Sequence, residues 1–234
     1  SLCKWFAKKI GFNDSSGGIA ASGGTLSNLN ALIAARHNSG LGSDPNSVLL
    51  VSEDAHSSFI KCIRIMGLDE ANLIRIKTDN NGSIDIQNLR KTIDRCVFDN
   101  KKIFAIVATL GTTVRGAIDP IKDISEICKE RNIWLHIDGS IGGIFAITSI
   151  PIEGLNNINQ ANSITINPQK IIGITKTSSL LLVSEMSTLE NTFSTGLPYL
   201  SSKENIINRG EIGIQGSRPA EVIKLWLGLR FLGL

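Results

Sequence analysis

The sequence predicts an α/β fold: a mostly parallel central sheet with helices on both faces. Three observations predict it. Short continuous apolar runs, such as Val48-Leu49-Leu50-Val51 and Ile103 to Ala108, alternate with segments of helical periodicity. The runs are apolar at every position, as strands buried on both faces are, and they do not alternate like strands with one wet face. The polar and chemically competent residues gather just past the ends of these runs, where ligands of such sheets bind.

Taken in order, residues 2–10 carry a helical pattern (Leu2, Trp5, Phe6, Ile10) that Gly11 can terminate. A turn at Ser15-Ser16-Gly17-Gly18 precedes a small apolar segment, Ile19-Ala20-Ala21, and then Ser22-Gly23-Gly24-Thr25. Leu26, Leu29, Leu32 and Ile33 repeat at helical spacing as far as Gly40, so Thr25 is expected as the N-cap of that helix. A Gly-Gly-Thr opening on a helix start also offers an anion free N–H groups, a hydroxyl and no obstructing Cβ. Strand 48–51, a helix over 57–66 and strand 73–76 follow. Asp85 is placed to cap a helix over 86–98 with Ile86, Leu89, Ile93 and Val97 on one face. Strand 103–108 runs into the loop 111–116, and Asp119-Pro120 leads into a helix over 121–130. Strands 133–138, 163–167 and 180–183 complete the sheet. Neither a repeat nor a low-complexity linker interrupts the pattern, so residues 1–234 form one domain.

With 234 residues, 42% hydrophobic and 5% aromatic, the core must be built from Ile, Leu and Ala. The net charge of +3 is dispersed, which gives nucleic-acid or membrane-surface binding no support. No apolar run reaches the roughly 20 residues of a membrane span. Cys3, Cys62, Cys96 and Cys128 are far apart and read as reduced thiols, which leads to the expectation of a cytoplasmic protein. The chain starts without Met and its last helical pattern runs to the final residue, so it is expected to be a piece of a longer one.

The candidate chemistry lies at the strand ends. Ser163-Ile164-Thr165-Ile166 runs into Asn167-Pro168-Gln169-Lys170, and a lysine displayed there, at what the proline suggests is a sheet edge, can attack a carbonyl. His136 and Asp138, two apart in a strand, share a face. As metal ligands they lack a third partner. No Gly-x-Ser-x-Gly elbow supports a serine triad. A lysine, a strand-end carboxylate, an imidazole and a Gly-Gly-Thr helix start are instead the parts that hold pyridoxal 5'-phosphate.

The stretches SGGTLSNLNALIAAR (22–36), SEDAHSS (52–58), ATLGTTVRGAIDP (108–120), WLHIDGSIGG (134–143), NPQK (167–170) and GSRPAEVIKLWLGLRFLG (216–233) carry a resemblance that covers nearly the whole chain. It resembles the large domain of the group II pyridoxal-phosphate-dependent amino-acid decarboxylases, the family of aromatic amino-acid, glutamate, cysteine-sulfinate and diaminobutyrate decarboxylases. The resemblance implies fold type I, a homodimer, an amino-acid substrate, and release of an amine and CO₂. It implies that Lys170 carries the cofactor as a Schiff base, that Asp138 pairs with the pyridinium nitrogen, and that His56 stacks on the ring. It further implies that Gly24 and Thr25 bind the phosphate with help from Asn167, and that Thr113 and His136 line the pocket. The resemblance further leads to the expectation that the family's N-terminal segment and C-terminal small domain are missing from this piece.

Gln169 stands where many members have histidine; it can still hydrogen-bond the phosphate but carries no charge. Ser140 adds a hydroxyl near the ring where small apolar residues are usual. The segment 198–215 is short beside the loop that supplies a catalytic tyrosine in other members, and Tyr199 is the only tyrosine. Arg115, Arg218 and Ser140 are the candidates for contacting substrate. An aminotransferase or desulfurase-like lyase of the same fold, and a non-catalytic homologue serving as a binding subunit, are the competing readings.

Overall fold

The apolar runs form the strands they predict. The computed structural model describes residues 1–148, 152, 154–196 and 208–233. The strands are β1 (Gly17–Ala21), β2 (Ser47–Ser52), β3 (Leu73–Ile76), β4 (Lys102–Thr109), β5 (Trp134–Gly139), β6 (Ser163–Ile166) and β7 (Ser179–Val183). They make one seven-stranded sheet in the order β1-β7-β6-β5-β4-β2-β3. The helices are α1 (Leu2–Lys9), α2 (Gly24–Asn38), α3 (Ser58–Ile65), α4 (Ile86–Phe98), α5 (Ile121–Arg131), α6 (Pro168–Ile171), α7 (Ser187–Phe193) and α8 (Val222–Phe231).

Strand parity sorts the core into two layers. Val48, Leu50, Ile106, Ala108, Ile137, Ile164 and Leu182 face Phe6 of α1, Leu89 and Ile93 of α4, Ile124 of α5 and Leu225 of α8. Their neighbours Leu49, Val51, Ala105 and Val107 face Leu29 and Leu32 of α2 and Phe59 and Ile63 of α3. Leu181 and Val183 continue that second layer against Ala31, Ala34 and Leu189 of α7. Each fully buried Val, Leu, Ile or Phe side chain among them contributes about 1.5–3 kcal/mol, so both helical layers are held by the sheet between them. Among the described residues no helix is long and apolar enough to cross a membrane.

One strand runs against the rest. β7 is antiparallel to both β1 and β6, whereas the pairs β2–β3, β2–β4, β4–β5 and β5–β6 are parallel. The connection from β6 to β7 holds only the short α6 and a loop, too little for a crossover back to the start of a parallel strand. The predicted apolar segment at Ile19 is the end of β1, which extends back through Gly17 and Gly18. A Cβ on Gly18 would lie 2.2 Å from the carbonyl oxygen of Leu181, so only glycine lets β1 approach β7.

Helix boundaries correct three expectations. Thr25 does not cap α2: the carbonyl of Gly23 accepts the N–H groups of Leu26 (3.1 Å) and Ser27 (3.0 Å), so Gly23 is the N-cap and Thr25 is the second helical residue. Asp85 caps α4 as predicted, accepting from Gln87 N (2.8 Å) and Asn88 N (3.0 Å), but the face buried beyond Ile93 turns to Cys96 and leaves Val97 63% exposed. Lys170 is not at a lateral sheet edge. β6 lies inside the sheet between β5 and β7, and Pro168, at the first position of α6, starts a helical turn off its carboxyl end.

Candidate active site

The carboxyl ends of β4, β5 and β6 and the start of α2 surround one cavity of about 500 Å³. Thr109, Gly111 and Thr113 come from the end of β4, Asp138 and Ser140 from the end of β5, and Asn167, Gln169 and Lys170 from the end of β6. Gly24 and Thr25 enter from α2, and His56 from the turn between β2 and α3. Of the residues singled out in the sequence, Lys170, Asp138, His56, Gly24, Thr25, Thr113, Ser140, Asn167 and Gln169 therefore share one cavity.

His136 does not line it, contrary to expectation. It shares the face of Asp138, but two residues back along the strand is about 7 Å deeper, and α2 covers it there. His136 is fully buried, with Nδ1 at 2.8 Å from Ser163 Oγ and Nε2 at 3.1 Å from Asn28 Oδ1. Burial pushes its pKa down to about 4, against the pull of the nearby Asp138 carboxylate and the Ser163 main chain, so the imidazole is neutral at pH 7.

Asp138 is 4% exposed. Its Oδ2 accepts from Asn28 Nδ2 (3.0 Å) and its Oδ1 from the Ser140 N–H (3.1 Å), and among the described residues it has no ion pair. A buried carboxylate with neutral donors and no counter-ion is a place for a cationic ligand group. Its register partners are Thr109 in β4 and Thr165 in β6, and both buried hydroxyls lack a hydrogen-bond partner.

The opposite end of the cavity is shaped for an anion. A Cβ on Gly24 would lie 2.6 Å from Asn167 Nδ2 and 2.9 Å from Ser140 Oγ, so glycine keeps the helix start open beside two donors. Asn167 is held by its other atom: Oδ1 accepts from Ser179 Oγ, whose oxygen lies 2.7 Å from Ser27 Oγ of α2. That aims the Asn167 NH₂ at the Gly24 turn. Gln169 is arranged the same way, its Oε1 accepting from Ser178 N at 2.7 Å, which leaves its NH₂ end for the cavity.

His56 and Thr113 lie exposed at the mouth. His56 Nδ1 accepts the N–H of Ser58 at 3.2 Å, so the imidazole caps the start of α3 while its ring lines the cavity. The substrate-contact candidates separate. Ser140 is in the cavity, Arg115 is on an exposed loop paired with Asp54 (3.3 Å), and Arg218 lines a different cavity beside α1 and α8. Tyr199 lies outside the described residues. Among the described residues no group of His, Cys, Asp or Glu could hold a metal ion. Sequence reasoning missed Asn28, Ser163 and Ser179. The available signal was the polar pair Ser27-Asn28 within the Leu26-Leu29-Leu32 stripe.

The cavity fits pyridoxal 5'-phosphate: an uncompensated buried carboxylate suits a protonated ring nitrogen, an orphaned Thr109 hydroxyl lines the wall, and the Gly24 cradle with its donors suits a phosphate. Sheet order and site together define the class, a fold type I pyridoxal-phosphate fold. The chain belongs to the pyridoxal-dependent decarboxylase family, whose conserved domain it matches over residues 1–234. It is 31% identical over 234 residues to an aromatic-L-amino-acid decarboxylase of Bacillus atrophaeus, covering 98% of this chain and 49% of that protein. It is 32% identical over 229 residues to an acidic amino acid decarboxylase of Xenopus tropicalis, covering 92% and 45%. Among solved structures it resembles mouse CSAD (TM-score 0.90, 27% identity, 99% of this chain and 50% of that one). It also resembles tryptophan decarboxylase of Catharanthus roseus in complex with L-tryptophan (TM-score 0.87, 27% identity, 98% and 50%). The chain spans about half the length of these relatives.

Proposed function

We propose that the protein decarboxylates an L-amino acid to its amine and CO₂, with pyridoxal 5'-phosphate held between Lys170 and Asp138. The observation that carries this reading is that Lys170 and a buried Asp138, which has no counter-ion among the described residues, open on one cavity with the Gly24 cradle. When bound, the cofactor supplies an electron sink for the pair left on Cα as the carboxylate departs. The residues around it have separate tasks. The Lys170 amine anchors the carbonyl carbon, and Asp138 holds a proton on the ring nitrogen. His56 covers the ring face at the mouth. Gly24, Thr25, Asn167 and Gln169 direct N–H and O–H donors at the phosphate. Ser140 and Thr113 border the space left for the amino acid.

The protein is further read as a cytoplasmic homodimer. Four free, buried thiols suit a reducing compartment. The homodimer follows from the family resemblance, and sedimentation of the holoprotein tests it.

The test of the activity is a screen of the cofactor-loaded full chain against glutamate, aspartate, tyrosine, Dopa, diaminobutyrate and cysteine sulfinate. Lys170→Ala serves as the blank. CO₂ and the matching amine from at least one substrate are expected, with none from the blank. Asp138→Ala is expected to retain cofactor poorly and to lose turnover on the order of a hundredfold. A keto acid in place of CO₂, or undiminished decarboxylation by Asp138→Ala, would overturn the reading.

A further inference from the structure

Beneath the cavity floor runs a chain of four hydrogen bonds that ends on Asp138. The indole Nε1–H of Trp134 donates to Ser163 Oγ at 2.8 Å. Ser163 Oγ lies 2.8 Å from His136 Nδ1, His136 Nε2 lies 3.1 Å from Asn28 Oδ1, and Asn28 Nδ2 lies 3.0 Å from Asp138 Oδ2. Ser163 and His136 are 0% exposed and Asn28 is 1% exposed, so water does not compete for these groups.

The direction of the chain follows from its two ends. An indole N–H can only donate, and an ionised carboxylate can only accept. Between them a single polarity satisfies every atom. Ser163 receives from Trp134 and donates to His136 Nδ1. The one proton of the neutral imidazole then sits on Nε2 and goes to Asn28 Oδ1. This turns the Asn28 NH₂ toward Asp138. The reversed polarity would set the Asn28 oxygen against the Asp138 carboxylate inside a dry layer, which is strongly unfavourable.

We infer that Asn28 is a positioning residue, oriented by the Trp134–Ser163–His136 relay so that it fixes Asp138 as a hydrogen-bond acceptor aimed at the cofactor ring. The Ser140 N–H on Oδ1 and the Asn28 NH₂ on Oδ2 together prevent the carboxylate from rotating. The inference rests on the reading that Asp138 meets the ring nitrogen, but the relay itself is a property of the protein without cofactor.

The experiment exploits that difference. In cofactor-free full chain with ¹⁵N-labelled histidine, the ring nitrogens of His136 report its tautomer directly. The expected result near pH 7 is the neutral Nε2–H form. Ser163→Ala removes the donor to Nδ1 and is expected to give a mixture of tautomers. It is also expected to weaken binding of pyridoxal 5'-phosphate on the order of tenfold, the effect of misdirecting one hydrogen bond to a charged group. Ser163→Thr, which keeps the hydroxyl, is expected to restore both. Asn28→Asp replaces the donor by an acceptor at equal size and is expected to weaken binding at least as much while the far-UV circular dichroism stays unchanged. An Nδ1–H tautomer in the wild type, or cofactor affinity within twofold of wild type in Ser163→Ala and in Asn28→Asp, would overturn the relay. Wild-type protein that takes up no cofactor at all would instead overturn the functional reading, and the tautomer then decides the relay alone.

Discussion

Asp119 holds the end of β4 through Thr109: its Oδ2 accepts the Thr109 N–H at 2.7 Å, while its Oδ1 accepts the N–H of Ile84 at 2.8 Å. Thr109 is in turn the register partner of Asp138, so a buried carboxylate outside the cavity braces its wall. Burial raises the Asp119 pKa to about 6, although both main-chain bonds oppose the shift.

The first prediction follows from this carboxyl and His136 together. Asp119 in the folded protein keeps a proton that the unfolded chain loses near its ordinary value of 3.8. Its contribution to stability is complete below about pH 4 and is lost as the pH climbs through about 6. His136, lowered to about 4 by burial, acts in the opposite sense: its contribution is complete above its unfolded value of 6.5 and is lost as the pH falls through about 4. The two slopes offset each other between about pH 4.5 and 6. Asp119→Asn is expected to be less stable overall, because one amide oxygen cannot accept both N–H groups. It should also unmask the His136 slope, so that its unfolding free energy in urea rises by on the order of 2 kcal/mol across that interval. An Asp119→Asn profile as level as the wild type's would contradict the assignment.

Gly24→Ala places a methyl group 2.6 Å from the Asn167 NH₂ and 2.9 Å from the Ser140 hydroxyl. Both donors must withdraw from the anion end of the cavity. Affinity for pyridoxal 5'-phosphate is expected to fall on the order of tenfold or more, with a much smaller change for pyridoxal, which has no phosphate. Fluorescence titration with the two compounds measures the difference, and equal losses for both would count against the cradle.

Two substitutions on α4, about two turns apart, separate a packed position from an open one. Leu89 is 0% exposed and Val97 is 63% exposed. Leu89→Ala is expected to cost about 2–5 kcal/mol of stability, and Val97→Ala no more than about 0.5 kcal/mol. Chemical denaturation of both variants reads the contrast.

The thiols should be inert in the folded protein. Burial pushes Cys3 up to about 11 and Cys62 and Cys128 up to about 12, and it raises Cys96 as well. None of these cysteines should react with a disulfide reagent near pH 8 until guanidinium is added, whereupon all four should react. A native thiol that reacts within minutes would refute the burial of that residue.

The sheet was legible because its interior strands are apolar at consecutive positions, and most of the cavity was legible because chemistry-bearing residues follow those strands directly. The direction of β7 was not, since reversing a strand leaves its apolar pattern unchanged. Period-two reasoning correctly put His136 on the face of Asp138, but it carries no information about which helix lies above that face. Asn28 was hidden for the same reason. On an amphipathic helix an asparagine reads as solvated, and only the burial of α2 on nearly every side turns Ser27 and Asn28 inward. The placement of Val97 failed on a choice between i+3 and i+4, which the sheet decides and the helix does not.

Ser27 and Asn28 are consecutive residues of one helix, and each supports a different end of the cavity, through Ser179 to Asn167 and directly to Asp138. A tilt of α2 by a fraction of an ångström therefore acts like a single lever on two latches. Grip on the anion and grip on the cation are thereby tied to one rigid element and should tighten or slacken in concert.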